Sequence, residues 1–292
     1  MIDQYLTFAH QLADVAGDII RPYFGAHGQA EAKTDESPVT IADREAEHAM
    51  RKMIERAYPE HAIYGEEFGL QLAASAAVPS LVPFQPTTHH SPLTAHLTYT
   101  WVIDPIDGTR AFIAGRKEWG TLIALCENGI PILGILDQPV TGERWVGASS
   151  MATLYSSAPA SEPDPRRRAR EVTIKTRPCP SLSEAEFSTT SVNYFTPTQA
   201  ARVVKLAQSS RATVKDGDCY AYGLLARGLR DIVIDAGLKP YDILALVPII
   251  EGAGGKITGW DGSAVTLNNF REVAAVGYNS LHSQVLALLQ SA

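Results

Sequence analysis

Trp101-Val102-Ile103-Asp104-Pro105-Ile106-Asp107-Gly108-Thr109 is the stretch that decides how this chain is read. A short apolar strand, Trp101 to Ile103, runs directly into two carboxylates and a hydroxyl. Carboxylates at the end of a buried strand are costly unless positive charge sits beside them. A hard divalent cation meets that need, because Mg²⁺ takes oxygen ligands from carboxylates, backbone carbonyls, water and phosphate. The other reading is a plain Asp-Pro/Asp-Gly turn that ends a strand.

The rest of the chain is that of an ordinary globular protein. Its 292 residues suit one large domain or two closely packed halves, and 45% apolar residues supply a substantial core. A net charge of -7 argues against a general nucleic-acid binder but leaves a phosphorylated substrate open, since a bound metal supplies local positive charge. Cys126, Cys179 and Cys219 are odd in number and widely spaced, with no CxxC pair. They form neither a disulfide framework nor a zinc site and fit a reducing compartment. Met1 to Phe24 carries Asp3, Asp14 and Asp18 and lacks a basic start, so it does not read as a signal peptide. No apolar run approaches the length of a membrane span. The expectation is a cytoplasmic enzyme.

Apolar residues from Ile2 to Tyr23 recur at helical spacing and predict a long first helix that ends before Gly25. Thr40 caps a second helix to about Tyr58, with Ala42, Ala46, Ala49, Met50, Met53, Ile54 and Ala57 as its buried stripe and Asp43 in its first turn. His61 to Tyr64 reads as a strand. Leu70 to Tyr99, rich in proline and without periodicity, reads as a long mobile surface insertion, and its His89, His90 and His96 as loop residues rather than a metal tract. Thr121–Cys126 and Ile130–Leu136 flank Asn128-Gly129, a hairpin signal, and Arg144–Gly147 continues that sheet. Ser161 to Arg170 reads as a connector whose Arg166-Arg167-Arg168 run is a solvated loop.

Strands and helices then alternate: strands at 172–175, 188–192, 212–214, 231–234, 256–258 and 273–276, and helices at 197–209, 220–227, 241–251 and 281–289. Alternation of this kind points to an α/β layered architecture. Residues 1–150 form an N-terminal half carrying the main acidic motifs, and 151–292 a C-terminal half that completes the site.

Three separated acidic sites stand out: Glu66-Glu67, Asp104 with Asp107, and Asp242. Each alone has a dull explanation, as a solvated turn, a strand end or a helix cap. Together they hold enough anionic oxygen for two or more Mg²⁺ ions if the fold brings them together.

Gly65-Glu66-Glu67, Asp104-Pro105-Ile106-Asp107-Gly108-Thr109, Tyr241-Asp242 and Glu251-Gly252-Ala253-Gly254-Gly255 resemble, in order and separation, the successive signatures of the inositol monophosphatase family. The resemblance covers nearly the whole chain apart from the 70–99 insertion. It implies a layered αβαβα sandwich of the inositol monophosphatase / fructose-1,6-bisphosphatase type. It also implies a Li⁺-sensitive phosphomonoesterase with two or three Mg²⁺ ions per site, acting on a small phosphorylated substrate as a homodimer. Carried over, it makes Glu66, Asp104, Asp107, Asp242 and the carbonyl of Ile106 the metal ligands. Thr109 pairs with Asp43 to activate the attacking water, the amides of Gly108 and Thr109 meet the phosphate, Lys33 lies nearby, and Glu67 supports the ligands.

Within the family the chain is most similar to the histidinol-phosphatase branch. The resembling pieces are Gly108 to Gly115, Gly217-Asp218-Cys219-Tyr220-Ala221-Tyr222, and Pro240-Tyr241-Asp242 with Pro248-Ile249-Ile250-Glu251-Gly252. Histidinol phosphate carries an ammonium, and a carboxylate facing it makes a charge-assisted contact. Asp218 and Asp235 are the candidates. Asp218 can equally cap the 220–227 helix, and Asp235 matches a carboxylate common in the family whatever the substrate. The alternatives are an inositol-1-monophosphatase, a broad-range phosphatase of the same family, a sulfonucleotide phosphatase, or a non-catalytic protein that keeps the fold.

Overall fold

The computed structural model describes residues 2–25, 30–32, 38–73, 98–157, 168–215 and 217–291. The mobile character expected of the insertion, its three histidines, Lys33, Arg166 and Arg167 fall outside these residues.

Strand β5 (Tyr99–Asp107) shows how one sequence serves two layers. Successive side chains of a strand point to opposite faces. Trp101 and Ile103 enter one core, while Val102 enters another. Strand β6 (Gly120–Glu127) repeats the pattern, with Ile123 and Leu125 on the first side and Leu122, Ala124 and Cys126 on the second. These strands lie in an eight-stranded sheet with β3 (Ala62–Gly65), β4 (Gly69–Gln71), β7 (Ile130–Gln138), β8 (Glu143–Ala148), β9 (Met151–Ser157) and β10 (Arg168–Thr173), in the order β10-β9-β8-β7-β6-β5-β3-β4. β3 and β5 run parallel, and every other neighbouring pair in this sheet is antiparallel.

Helices α1 (Ile2–Ile20) and α2 (Ile41–Ala57) cover the outer face of this sheet, beside a short hairpin of β1 (Ala30–Ala32) and β2 (Pro38–Thr40). The inner face meets α5 (Asp218–Ala226), α6 (Pro240–Ile243) and α7 (Leu246–Gly252). Gly134 and Gly147 let the α6–α7 region lie directly on the sheet; a Cβ at either position would overlap the backbone of Ala245 or Pro248. Beyond this middle layer lies a five-stranded sheet of β11 (Glu186–Thr189), β12 (Ala212–Lys215), β13 (Ile232–Ala236), β14 (Lys256–Gly259) and β15 (Glu272–Val276), in the order β12-β11-β13-β15-β14. Helices α4 (Pro197–Ser209) and α8 (Asn279–Leu289) close its far face. The five layers are those of the expected αβαβα sandwich.

Several boundaries differ from the sequence reading for identifiable reasons. The strand expected to stop at Ile103 continues through the acidic motif, with a register irregularity between Asp104 and Asp107 that re-aims the two carboxylates. The ends of the 70–99 insertion are ordered as strand, Leu70 and Gln71 in β4 and Tyr99 in β5. Residues from Arg168, expected in a connector, pair with β9, so the first sheet extends to Thr173. The single helix expected over 241–251 is two, α6 and α7, because Pro248 has no N–H to give the Leu244 carbonyl. Ala57 is exposed, and the buried stripe of α2 instead includes Asp43, Glu47 and Arg51.

Candidate active site

The acidic motifs meet where the end of β5 faces the starts of α5 and α6. A cavity of about 470 Å³ there is lined by Glu66, Asp104, Ile106, Asp107, Gly108, Thr109, Asp218, Asp235 and Asp242, which the sequence singled out, and by residues it did not. Carboxylate oxygens of Asp104, Asp107 and Asp242 lie within 4.8 Å of one another, and those of Asp43, Glu66 and Glu67 form a second group of the same size.

Each motif is held by its own local bonds. The Ile106 amide donates to Asp104 Oδ1 at 3.0 Å, and Thr121 Oγ1 donates to the Pro105 carbonyl at 2.7 Å, so the irregular end of β5 is tied on both sides. Gly108 follows in the left-handed region at φ 87°, which favours glycine, and starts the short α3 (Thr109–Ile113). A Cβ there would crowd the Glu118 carbonyl, the Trp119 side chain and Asp218 Oδ2. Asp242 sits in the first turn of α6, where its Oδ2 accepts the Lys239 amide at 2.8 Å. Asp107 Oδ2 accepts the Cys219 amide at 2.7 Å, which pins the start of α5 to β5.

The electrostatics are those of anions forced together. Burial, then repulsion from Glu66, Asp107, Asp43 and Asp242, pushes the Asp104 carboxyl well above its ordinary range. Burial, then Asp218 and Asp242, does the same to Asp107. Asp242 is pushed up to about 7, chiefly by burial and then by Glu66. Acids gathered in this way could hold a cation. Both carboxylate groups are oxygen-only, with no His or Cys among their members, and that donor set suits a hard ion such as Mg²⁺ rather than zinc.

Not every expected role has the expected geometry. The Thr109 hydroxyl donates to the Ile106 carbonyl at 3.1 Å, three residues back in the same turn, in place of the expected Asp43. Asp218 is the first residue of α5 rather than its cap; Gly217 occupies that position, and the Asp218 backbone has φ 38°. Its carboxylate lines the cavity beside Gly108. Asp235 is engaged on both oxygens. Oδ1 accepts Thr189 Oγ1 and the Thr190 amide, and Oδ2 accepts Thr190 Oγ1 and the Tyr222 hydroxyl, at 2.8 to 3.2 Å. A carboxylate offers about four lone-pair sites, so Asp235 ties the end of β11 to α5 and has little capacity left for a ligand.

Tyr194, Arg110, Arg116, Lys239 and Tyr222 also line the cavity, and no site role was read for any of them in the sequence. None stands in an acidic motif. Tyr194 follows an irregular segment with no periodic signal, whereas Arg110 and Lys239 were legible as neighbours of Thr109 and Pro240.

A sequence profile described as the inositol monophosphatase family matches residues 1–292. Among curated proteins, the bifunctional phosphatase IMPL2 of Arabidopsis thaliana is 40% identical over 99% of this chain and 76% of its own length. A histidinol-phosphatase of Mycobacterium tuberculosis is 30% identical over 98% of both chains. Among solved structures, an inositol monophosphatase from Zymomonas mobilis superposes with a TM-score of 0.80 at 40% identity, covering 99% of this chain and 98% of that one.

Proposed function

The chain belongs to the inositol monophosphatase family, and on that premise we propose that it is a Mg²⁺-dependent histidinol-phosphatase that serves histidine biosynthesis. Membership makes it a phosphatase of a generally metal-dependent family acting on small phosphorylated substrates. The ion and the substrate are the proposed part.

Asp104, Asp107, Asp242, Glu66 and the Ile106 carbonyl are the proposed holders of the metal. When bound, Mg²⁺ supplies positive charge against the phosphoryl oxygens and makes water a better nucleophile. Asp43, grouped with Glu66 and Glu67, is the proposed acceptor of the attacking water's proton. The turn at Gly108 and Thr109 meets the phosphate through backbone amides. Water attacks in line and the alcohol leaves on the opposite side, so the chain contributes no covalent nucleophile.

Asp218 carries the substrate assignment. Its carboxylate stands in the cavity beside the turn proposed to hold the phosphate. An amino alcohol phosphate brings an ammonium to that carboxylate, whereas a neutral polyol brings only hydroxyls. The 30% identity to histidinol-phosphatases over nearly the full chain supports the same substrate. The second reading is an inositol or broad-range phosphatase, favoured by the 40% identity to the Zymomonas mobilis protein. A phosphate-release panel with histidinol phosphate, inositol 1-phosphate and an aryl phosphate separates them. A large preference for histidinol phosphate is expected, and a preference for inositol 1-phosphate removes the substrate assignment while leaving the class intact.

A homodimer and a cytoplasmic setting belong to the same proposal. The first rests on the family resemblance, and the second on three cysteines that are all free and buried. No helix among the described residues is long and apolar enough to cross a membrane.

A further inference from the structure

Helix α2 buries an acid and a base that no acidic motif contains. Glu47 is 0% exposed and Arg51 5% exposed, one helical turn apart, with Arg51 Nε donating to Glu47 Oε1 at 2.7 Å. Buried charges of this kind persist only when paired and hydrogen-bonded. Here the remaining bonds go to the turn that follows β3 and to β4, which continues from it. Glu47 Oε2 accepts the Glu67 amide at 2.7 Å, and Oε1 accepts the Phe68 amide at 3.2 Å. Arg51 donates to the Gly69 carbonyl and to Gln71 Oε1, and its guanidinium lies 5.8 Å from the centre of the Phe68 ring. Gly65 completes the fit, because a Cβ on it would overlap the Glu47 carboxylate.

That turn is Glu66-Glu67-Phe68, and its first two carboxylates gather with Asp43 of the same helix. Asp43 and Glu47 are four residues apart, so α2 offers a carboxylate to the group from one turn and grips the group's other members from the next. We propose that Glu47 and Arg51 are positioning residues for metal uptake, holding the Glu66–Glu67 backbone so that both carboxylates meet Asp43 before any ion arrives. The inference rests on the metal-dependent phosphatase reading. Neither residue reaches the cavity, and both act through the turn. Groups that orient ligands in this way typically alter metal affinity by about 10- to 100-fold when changed.

The test is calorimetric titration of the full-length protein with Mg²⁺, beside the thermal midpoint of each protein. Glu47→Gln removes the charge and one acceptor from the clamp, and its Mg²⁺ dissociation constant is expected to rise about 10-fold or more. Arg51→Lys keeps the charge pair but loses the fork that spans Gly69 and Gln71; its constant is expected to rise less, and it serves where Glu47→Gln does not fold. Ile54→Val weakens the same helix without touching the turn and is expected to lower the midpoint with Mg²⁺ binding unchanged. Wild-type binding retained by both clamp variants, or a change no larger than that of Ile54→Val, overturns the inference alone. A wild-type protein that takes up no Mg²⁺ overturns the metal reading and this inference together.

Discussion

The Cys219 amide donates to Asp107 Oδ2 at 2.7 Å, across 112 residues of sequence. This bond joins the last residue of a strand in the eight-stranded sheet to the first turn of the helix layer between the two sheets. The anionic floor of the cavity exists because the layers are stacked in that order. Neither half of the chain makes it alone.

Asp104→Asn separates function from stability. Asn keeps an oxygen for the Ile106 amide and removes a buried charge that four neighbouring acids repel. The metal-free protein should gain about 1 kcal/mol, seen as a thermal midpoint raised by roughly 2–4 °C. Phosphate release should fall by about 100-fold, because a proposed metal ligand is lost. Melting curves in chelator and a phosphate assay check the two halves.

The pH dependence of the metal-free protein follows from Asp242, whose carboxyl is pushed up to about 7 by burial and by Glu66. An acid with a raised folded-state pKa binds more protons folded than unfolded between its ordinary value and the raised one. Its contribution is therefore fully present below about pH 4 and is lost as pH rises toward 7. In chelator, stability from this group should decline from pH 4 to 7. In excess Mg²⁺ the decline should flatten, since the ion replaces the proton and binds more tightly as pH rises. Denaturant unfolding across that range, with and without Mg²⁺, measures both slopes.

Asp218→Asn should discriminate between substrates. With histidinol phosphate, kcat/KM should drop by about 10-fold or more, the value of a lost charge-assisted contact. An aryl phosphate, with no ammonium, should change little. Equal losses on both would speak against the ammonium contact.

Tyr222→Phe tests the Asp235 hub. The Tyr222 hydroxyl donates to Asp235 Oδ2 at 2.9 Å in a buried setting, and burial pushes the Asp235 carboxyl up to about 6 despite its four donors. At pH 8 the variant should lose about 2 kcal/mol, because a buried anion forfeits a donor. At pH 5, where the carboxyl carries its proton, the loss should shrink to about 1 kcal/mol. Urea unfolding at the two pH values reads the difference.

Much of this was written in local pattern. The alternation of β6 and β7 around Asn128-Gly129 was readable because one face of each strand enters each of two cores and the turn demands positive φ, which both residues have. The helix expected over 197–209 matches α4 to the residue, and the structure adds the Thr196 side chain accepting the Gln199 amide at its start. The four carboxylates proposed to hold the metal were legible because strand ends and helix starts are places where an acid needs a reason. What sequence could not show was contact. Glu47 and Arg51 look like a solvated i,i+4 pair until β3 and β4 are placed over them. Asp235 reads as a free carboxylate until Thr189, Thr190 and Tyr222 close on it. The break between α6 and α7 was visible in Pro248, yet the apolar run around it masked the stop.

On this reading, acids distant in the chain meet to hold Mg²⁺ against a phosphoryl group. Phosphate release from histidinol phosphate, followed over a Mg²⁺ titration for the wild type and Asp107→Asn side by side, tests it most directly. Saturable Mg²⁺ dependence in the wild type, abolished by chelator and absent from the variant, is the predicted result. Release that ignores Mg²⁺, or an Asp107→Asn protein as active as the wild type, would contradict it.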